Sequence, residues 1–111
     1  MTTREVVLCN PVRTAIGTYN GSLKDVAAPM LGSAVIRETL KRANLSPDKV
    51  QALVMGNVIQ AGVKMNPARQ AGIAAGLPVE VPALTVNRVC GSGAQGVVLS
   101  LIHISEPTRP Y

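Results

Sequence analysis

The chain has 111 residues, 47% of them apolar, with a formal charge of +5 and two cysteines, which suits one small domain or part of a larger one. Its longest apolar stretches, such as "GVVLSLI" at residues 96–102, fall far short of the roughly 20 residues of a membrane crossing. The basic residues are scattered singly and the only aromatics are two tyrosines, a pattern that argues against a nucleic-acid partner.

The N-terminus carries no basic region followed by an apolar signal segment, so the sequence predicts a soluble, unexported protein with no membrane partner. The excess positive charge reads as a solvated surface suited to an anionic small ligand. Two cysteines without paired spacing point away from a disulfide framework or a zinc knuckle and fit a reducing cytoplasm.

In chain order, "EVVLCNPV" from Glu5 to Val12 has the β-branched density of a buried strand ended by Asn10 and Pro11. Cys9 inside it reads as a buried structural thiol. Asn20-Gly21 signals a turn. From Pro29 to Ala43 the period becomes helical: Gly32, Val35, Ile36, Leu40 and Ala43 fall on one half of the wheel, and Ser33, Arg37, Glu38 and Lys41 on the other. Ser46 is placed to cap a short helical turn opened by Pro47 and Asp48. The nearly continuous apolar run "VQALVMGNVIQ", residues 50–60, predicts a strand in a sheet covered on both faces.

A second helix is expected over "NPARQAGIAAG", with Asn66 as its cap, Pro67 in the first turn and Gly76 as a left-handed stop before Pro78. "VPALTVNRV", residues 81–89, is the third predicted strand, and "GSGAQGVVLS" after Cys90 reads as a helix that begins in glycines. The order βαβαβα predicts an α/β fold with parallel strands and right-handed crossovers. Ligands of such sheets gather at the carboxyl ends of the strands, where Cys90 falls.

Cys90 is the candidate catalytic residue. A thiol at the first turn of a helix feels the partial positive charge of unpaired N–H groups, which favours the nucleophilic thiolate. Gly91 and Gly93 allow a sharp backbone bend and let a bulky substrate approach with no Cβ in the way. The neighbouring N–H groups are placed to hold an oxyanion, as acyl transfer requires. A buried structural thiol is the bland alternative. A rival reading takes Gly91, Gly93 and Gly96 as the GxGxxG fingerprint of a small nucleotide-binding module. That fingerprint usually sits on the first strand, whereas this is the third, and the acid that binds the ribose is expected about 20 residues later, where the chain has already stopped.

From about Arg4 to Val98 the chain resembles the N-terminal part of the thiolases, and within them the acetyl-CoA acetyltransferases. The resemblance rests on "NPVRTAIGTYNGSL", "MGNVIQAG", "NPARQAGIAAGLP" and above all "TVNRVCGSGAQ", which holds the family's Cys-x-Ser loop as Cys90-Gly91-Ser92. It implies that Cys90 attacks the thioester of acyl-CoA and carries the acyl group. A second acetyl-CoA then condenses with it to acetoacetyl-CoA, or the reverse thiolysis occurs, within acetyl-CoA and fatty acid metabolism. Acyl-CoA enters as substrate, and no metal or redox cofactor is implied. The resemblance further implies two similar halves, each a five-stranded mixed sheet covered by helices, and a homodimer or homotetramer in the parent. The strand before the cysteine, about Ala83 to Val89, would be a dimer edge. A non-catalytic assembly role through that edge is the third alternative.

The family's other catalytic motifs, Asn-Glu-Ala-Phe, Gly-His-Pro and Cys-x-Gly, do not occur in this sequence. The expected domain is therefore a partial thiolase N-terminal domain, residues 1–98, inactive alone. Residues 99–111 form a tail of different origin: Leu99–Arg109 back-translates without mismatch into a transposase adaptor used in preparing sequencing libraries. His103 lies in that tail and is denied a catalytic role, and Pro107 and Pro110 disfavour a continued helix.

Overall fold

The structure is a computed structural model and describes residues 4–105. Its framework is a βαβ unit between two further helices. Helix α1 spans Ala28–Ala43, strand β1 Leu53–Gly56, helix α2 Pro67–Ala74, strand β2 Ala83–Val86 and helix α3 Ser92–Ser105. The two strands pair in parallel, Leu53 opposite Ala83 through Gly56 opposite Val86, with α2 as the crossover between them. Among the described residues no helix is long and apolar enough to cross a membrane.

Strand alternation divides the side chains between two helical layers. Leu53 and Met55 face α1 and α2: a Cβ added at Gly72 would lie 3.0 Å from Leu53 Cδ2, and one at Gly32 would lie 2.9 Å from Met55 Cε and 3.0 Å from the Ala71 Cβ. Val54 faces α3, its Cγ1 3.6 Å from where a Gly96 Cβ would stand. The sheet is thus covered on both faces, as the continuous apolar run predicted. The best-buried apolar residues are Ala68, Ala71, Leu77 and Val81, all on α2 or the segment that returns the chain to β2.

The helix ends follow the local chemistry. Asn66 caps α2, its side chain accepting from Arg69 N–H at 3.2 Å, and also donates to Ala83 C=O at 3.1 Å and accepts from Thr85 Oγ1 at 2.6 Å. One side chain therefore ties the start of α2 to β2. Gly76, at φ +92°, stops the helix as predicted, and Leu77 N–H closes back on Gly72 C=O at 3.0 Å. Arg69 then fixes the return segment by donating to Val79 C=O and Val81 C=O, each at 2.9 Å. The Asn20-Gly21 turn is present, with Gly21 N–H donating to Thr18 C=O at 2.9 Å.

Several expectations are corrected. Residues 5–12 form no strand, and Cys9 is exposed rather than buried. Val6, Val7 and Leu8 line a groove with Leu53, Val54 and α3, but a strand exists only by hydrogen-bonding to a neighbour, and this segment has none among the described residues. The other two strands have four residues each, shorter than predicted, because pairing ends where the two-stranded ladder does. Ser33, assigned to the polar half of α1, is completely buried and its Oγ has no hydrogen-bond partner among the described residues. Its small size suits it to complete burial next to Gly32, where α1 approaches Ala71 of α2. Ser46 makes no capping bond to the backbone, its hydroxyl donating to the Asp48 carboxylate instead. Finally, α3 continues without interruption to Ser105, past Ser100 where the predicted helical segment stopped. Pro107 and Pro110 lie outside the described residues.

Candidate active site

The carboxyl ends of both strands converge on the entry to α3. Strand β1 ends on Gly56, and a Cβ there would stand 2.5 Å from Ser92 C, 2.6 Å from Ser92 O and 2.7 Å from Gly93 N. These are backbone atoms that cannot swing aside, so only glycine permits this approach. Across the loop, Asn57 N–H donates to Val86 C=O at 3.0 Å and Asn87 Nδ2 donates to Val58 C=O at 3.0 Å. The strand ends and the helix entry are thereby held as one unit.

Between Val86 and Ser92 the chain makes a tight elbow. Val89 has φ +45°, a left-handed conformation that is an outlier for a β-branched residue. Strain of this kind costs about 1–3 kcal/mol and persists only where the surroundings over-determine it. Here they do. Asn87 Oδ1 accepts from Val89 N–H at 3.0 Å, and Ser92 N–H and Ser92 Oγ both donate to Val89 C=O, at 3.1 Å and 2.6 Å. Gly91 N–H donates to Arg88 C=O at 3.0 Å.

Cys90 follows Val89 directly and is exposed. It stands in the turn two residues before α3 begins, not within the first helical turn as expected. Gly91 precedes the helix and its C=O accepts from Gln95 N–H at 2.9 Å. Of three successive amides, those of Gly91 and Ser92 are used within the elbow, while that of Cys90 has no acceptor among the described residues. The glycines around the sulfur have separate duties. Space beyond Gly93 is open, with no atom within 4 Å of a would-be Cβ, whereas Gly96 is buried and allows α3 to lie against Val54.

His103 is far from this elbow. It lines a groove with Gln51, Pro82 and Ala83, at the amino ends of the strands, about 16 Å along the helix axis from Ser92 at 1.5 Å per residue. It cannot reach the Cys90 sulfur. Sequence reasoning found Cys90 but missed Val89, Asn87 and Gly56. A glycine inside the predicted strand of residues 50–60, the mark of a close backbone approach, was the available signal for Gly56. A valine offers no sequence signal of left-handed backbone.

A family model of the thiolase N-terminal domain matches residues 6–106. An acetyl-CoA acetyltransferase of Cupriavidus necator is 50% identical over 96 residues, covering 86% of this chain and 24% of that protein. Beta-ketothiolase BktB of the same bacterium is 55% identical over 97 residues, covering 86% of this chain and 25% of that protein. A third relative, an acetyl-CoA acetyltransferase of Clostridioides difficile, is 48% identical over 90 residues, with 81% of this chain and 84% of that sequence covered. The chain therefore spans about a quarter of the length of the two Cupriavidus proteins. With its N-terminal-domain match over nearly the whole chain, a layered α/β arrangement and a cysteine at the entry to α3, the protein belongs to the thiolase family.

Proposed function

We propose that this chain carries the acyl-accepting cysteine of an acetyl-CoA acetyltransferase, and that Cys90 is its nucleophile. The Cys90 thiolate attacks the carbonyl carbon of acetyl-CoA, the bond from that carbon to the CoA sulfur breaks, and the departing CoA thiolate takes up a proton. The acetyl group then resides on Cys90. A second acetyl-CoA, deprotonated at its methyl carbon, attacks that carbonyl, forming acetoacetyl-CoA and returning the Cys90 thiolate. Thiolysis is the same path reversed.

The observation that carries this reading is an exposed cysteine on a strained elbow at the carboxyl ends of parallel strands, with an amide that has no acceptor among the described residues. That free N–H is suited to the negative charge developing on the thioester oxygen, a role in which one preorganised donor changes rate by roughly 100-fold or more. The open space at Gly93 suits a bulky thioester. The relatives' names, acetyl-CoA acetyltransferase and beta-ketothiolase, supply the substrate class.

Acyl-CoA is the substrate in this scheme, with no further cofactor. The condensation step needs a base for the methyl proton, and His103 is too distant to serve. The 111-residue chain alone is therefore expected to accept an acetyl group without forming acetoacetyl-CoA. In the whole parent, a cytoplasmic homodimer or homotetramer would pair through Ala83 to Val89, whose Leu84 is half exposed. Residues 99–111 are assigned to a translated adaptor, and a genomic read continuing in a thiolase frame past codon 99 supports that assignment, whereas a read matching the present tail refutes it. The functional test is incubation of the purified chain with acetyl-CoA. A single release of CoA, lost in Cys90→Ser and kept in Cys9→Ser, is the predicted result, and CoA release unaffected by Cys90→Ser contradicts it.

A further inference from the structure

Ser92 is buried, only 4% exposed, although it is a polar residue at a helix entry beside an exposed cysteine. Its hydroxyl faces inward and is fully used: Oγ accepts from Arg88 N–H at 2.8 Å and donates to Val89 C=O at 2.6 Å. These two groups bracket the single peptide unit chain from Arg88 into Val89, the segment that enters the left-handed conformation. A hydroxyl can donate and accept at once, and no apolar side chain of its size can replace either bond. The backbone adds a parallel tie, Ser92 N–H to Val89 C=O at 3.1 Å, but nothing else in the described residues holds Arg88 N–H.

We infer that Ser92 is a positioning residue for acyl transfer: by clamping Arg88 N–H and Val89 C=O with one hydroxyl, it locks Val89 left-handed and thereby turns the Cys90 sulfur outward. The inference rests on the reading of Cys90 as the nucleophile. Ser92 does not touch the reacting atoms. It acts on Cys90 only through the backbone of Val89, the residue least able to keep a positive φ unaided. Without the clamp, Val89 relaxes toward negative φ and the elbow opens. Glycine at position 89 would keep the left-handed conformation without help, because it has no Cβ to clash.

That difference makes the test specific. The rate of alkylation by iodoacetamide is followed at Cys90 and Cys9 in the same sample, with far-UV circular dichroism as the check on folding. Both cysteines are exposed, so their ratio reports position rather than access. In the unmodified chain Cys90 is expected to react faster than Cys9. Ser92→Ala removes both bonds and should lower the ratio by about tenfold or more, since each ordinary hydrogen bond is worth roughly a fivefold factor. Val89→Gly combined with Ser92→Ala should restore most of the ratio, which a merely structural loss at Ser92 would not allow. A Cys90 no faster than Cys9 in the unmodified chain overturns the nucleophile reading itself. A fast Cys90 that Ser92→Ala leaves unchanged overturns the positioning role alone, as does a loss that Val89→Gly fails to restore, whether through reactivity or through failure of the double variant to fold.

Discussion

Replacing Gly56 with alanine places a methyl group 2.5 Å from Ser92 C, 2.6 Å from Ser92 O and 2.7 Å from Gly93 N. Favourable carbon contacts begin near 3.5 Å, so the first turn of α3 must withdraw from β1 by about 1 Å. Overpacking of that kind costs about 1–3 kcal/mol. Against it stands the reduced freedom of the unfolded chain on Gly→Ala, worth about 0.4–1 kcal/mol. The net expectation is a loss of roughly 1–2 kcal/mol, read as a lower midpoint in urea denaturation followed by circular dichroism. Gly93→Ala is the matched control, at the residue whose N is one of those contact atoms. Its Cβ meets nothing within 4 Å, and alanine exceeds glycine in helix propensity by about 1 kcal/mol, so that variant should be more stable. Opposite signs at Gly56 and Gly93 are the signature of a strand end pressed on a helix entry. If Gly56→Ala keeps full stability and leaves Cys90 alkylation unchanged, the close approach does not support the elbow.

Three further perturbations follow from the same contacts. Ser33→Ala should raise stability by about 1 kcal/mol, because it removes a buried hydroxyl without a partner among the described residues, and an unchanged or lower denaturation midpoint would contradict this. Asn66→Ala should cost about 2 kcal/mol, since one side chain caps α2 and holds Ala83 and Thr85, and a loss under 0.5 kcal/mol by roughly the same assay would show the hub to be dispensable. On α1 the hydrogen bond from Arg42, 2.9 Å from Glu38, holds the Glu38 carboxyl below its ordinary value. A lowered folded-state value means that the unfolded chain binds more protons as acid is added, so the pair stabilises the fold above the ordinary glutamate range and its contribution disappears as pH falls through the lowered value. The carboxyl resonance of Glu38 should titrate below its ordinary range and return toward it in Arg42→Ala.

Most of the frame was legible because it is written in local chemistry. Asn66-Pro67 opens α2 and Gly76 closes it, and the apolar runs around Leu53 and Ala83 mark strands whichever partner they find. What could not be read depends on neighbours. The segment from Glu5 to Val12 has strand composition, yet composition supplies no hydrogen-bond partner, and the two-stranded ladder gives it none. Ser33 looked polar and was assigned to solvent, while its small size suited it to complete burial. At the site the cysteine and its glycines were visible, but the device that presents the sulfur was not. Val89 is among the last residues to suggest a left-handed backbone, and the clamp on it joins groups brought together only when β1, β2 and α3 meet.

Two exposed thiols share one chain, and the proposal assigns the nucleophile to the one that follows the left-handed Val89. Peptide mapping by mass spectrometry after incubation with acetyl-CoA compares them within a single sample. Acetylation confined to the peptide bearing Cys90, with Cys9 unmodified, is the predicted outcome. Equal acetylation of both cysteines, or acetylation of Cys9 alone, would contradict it.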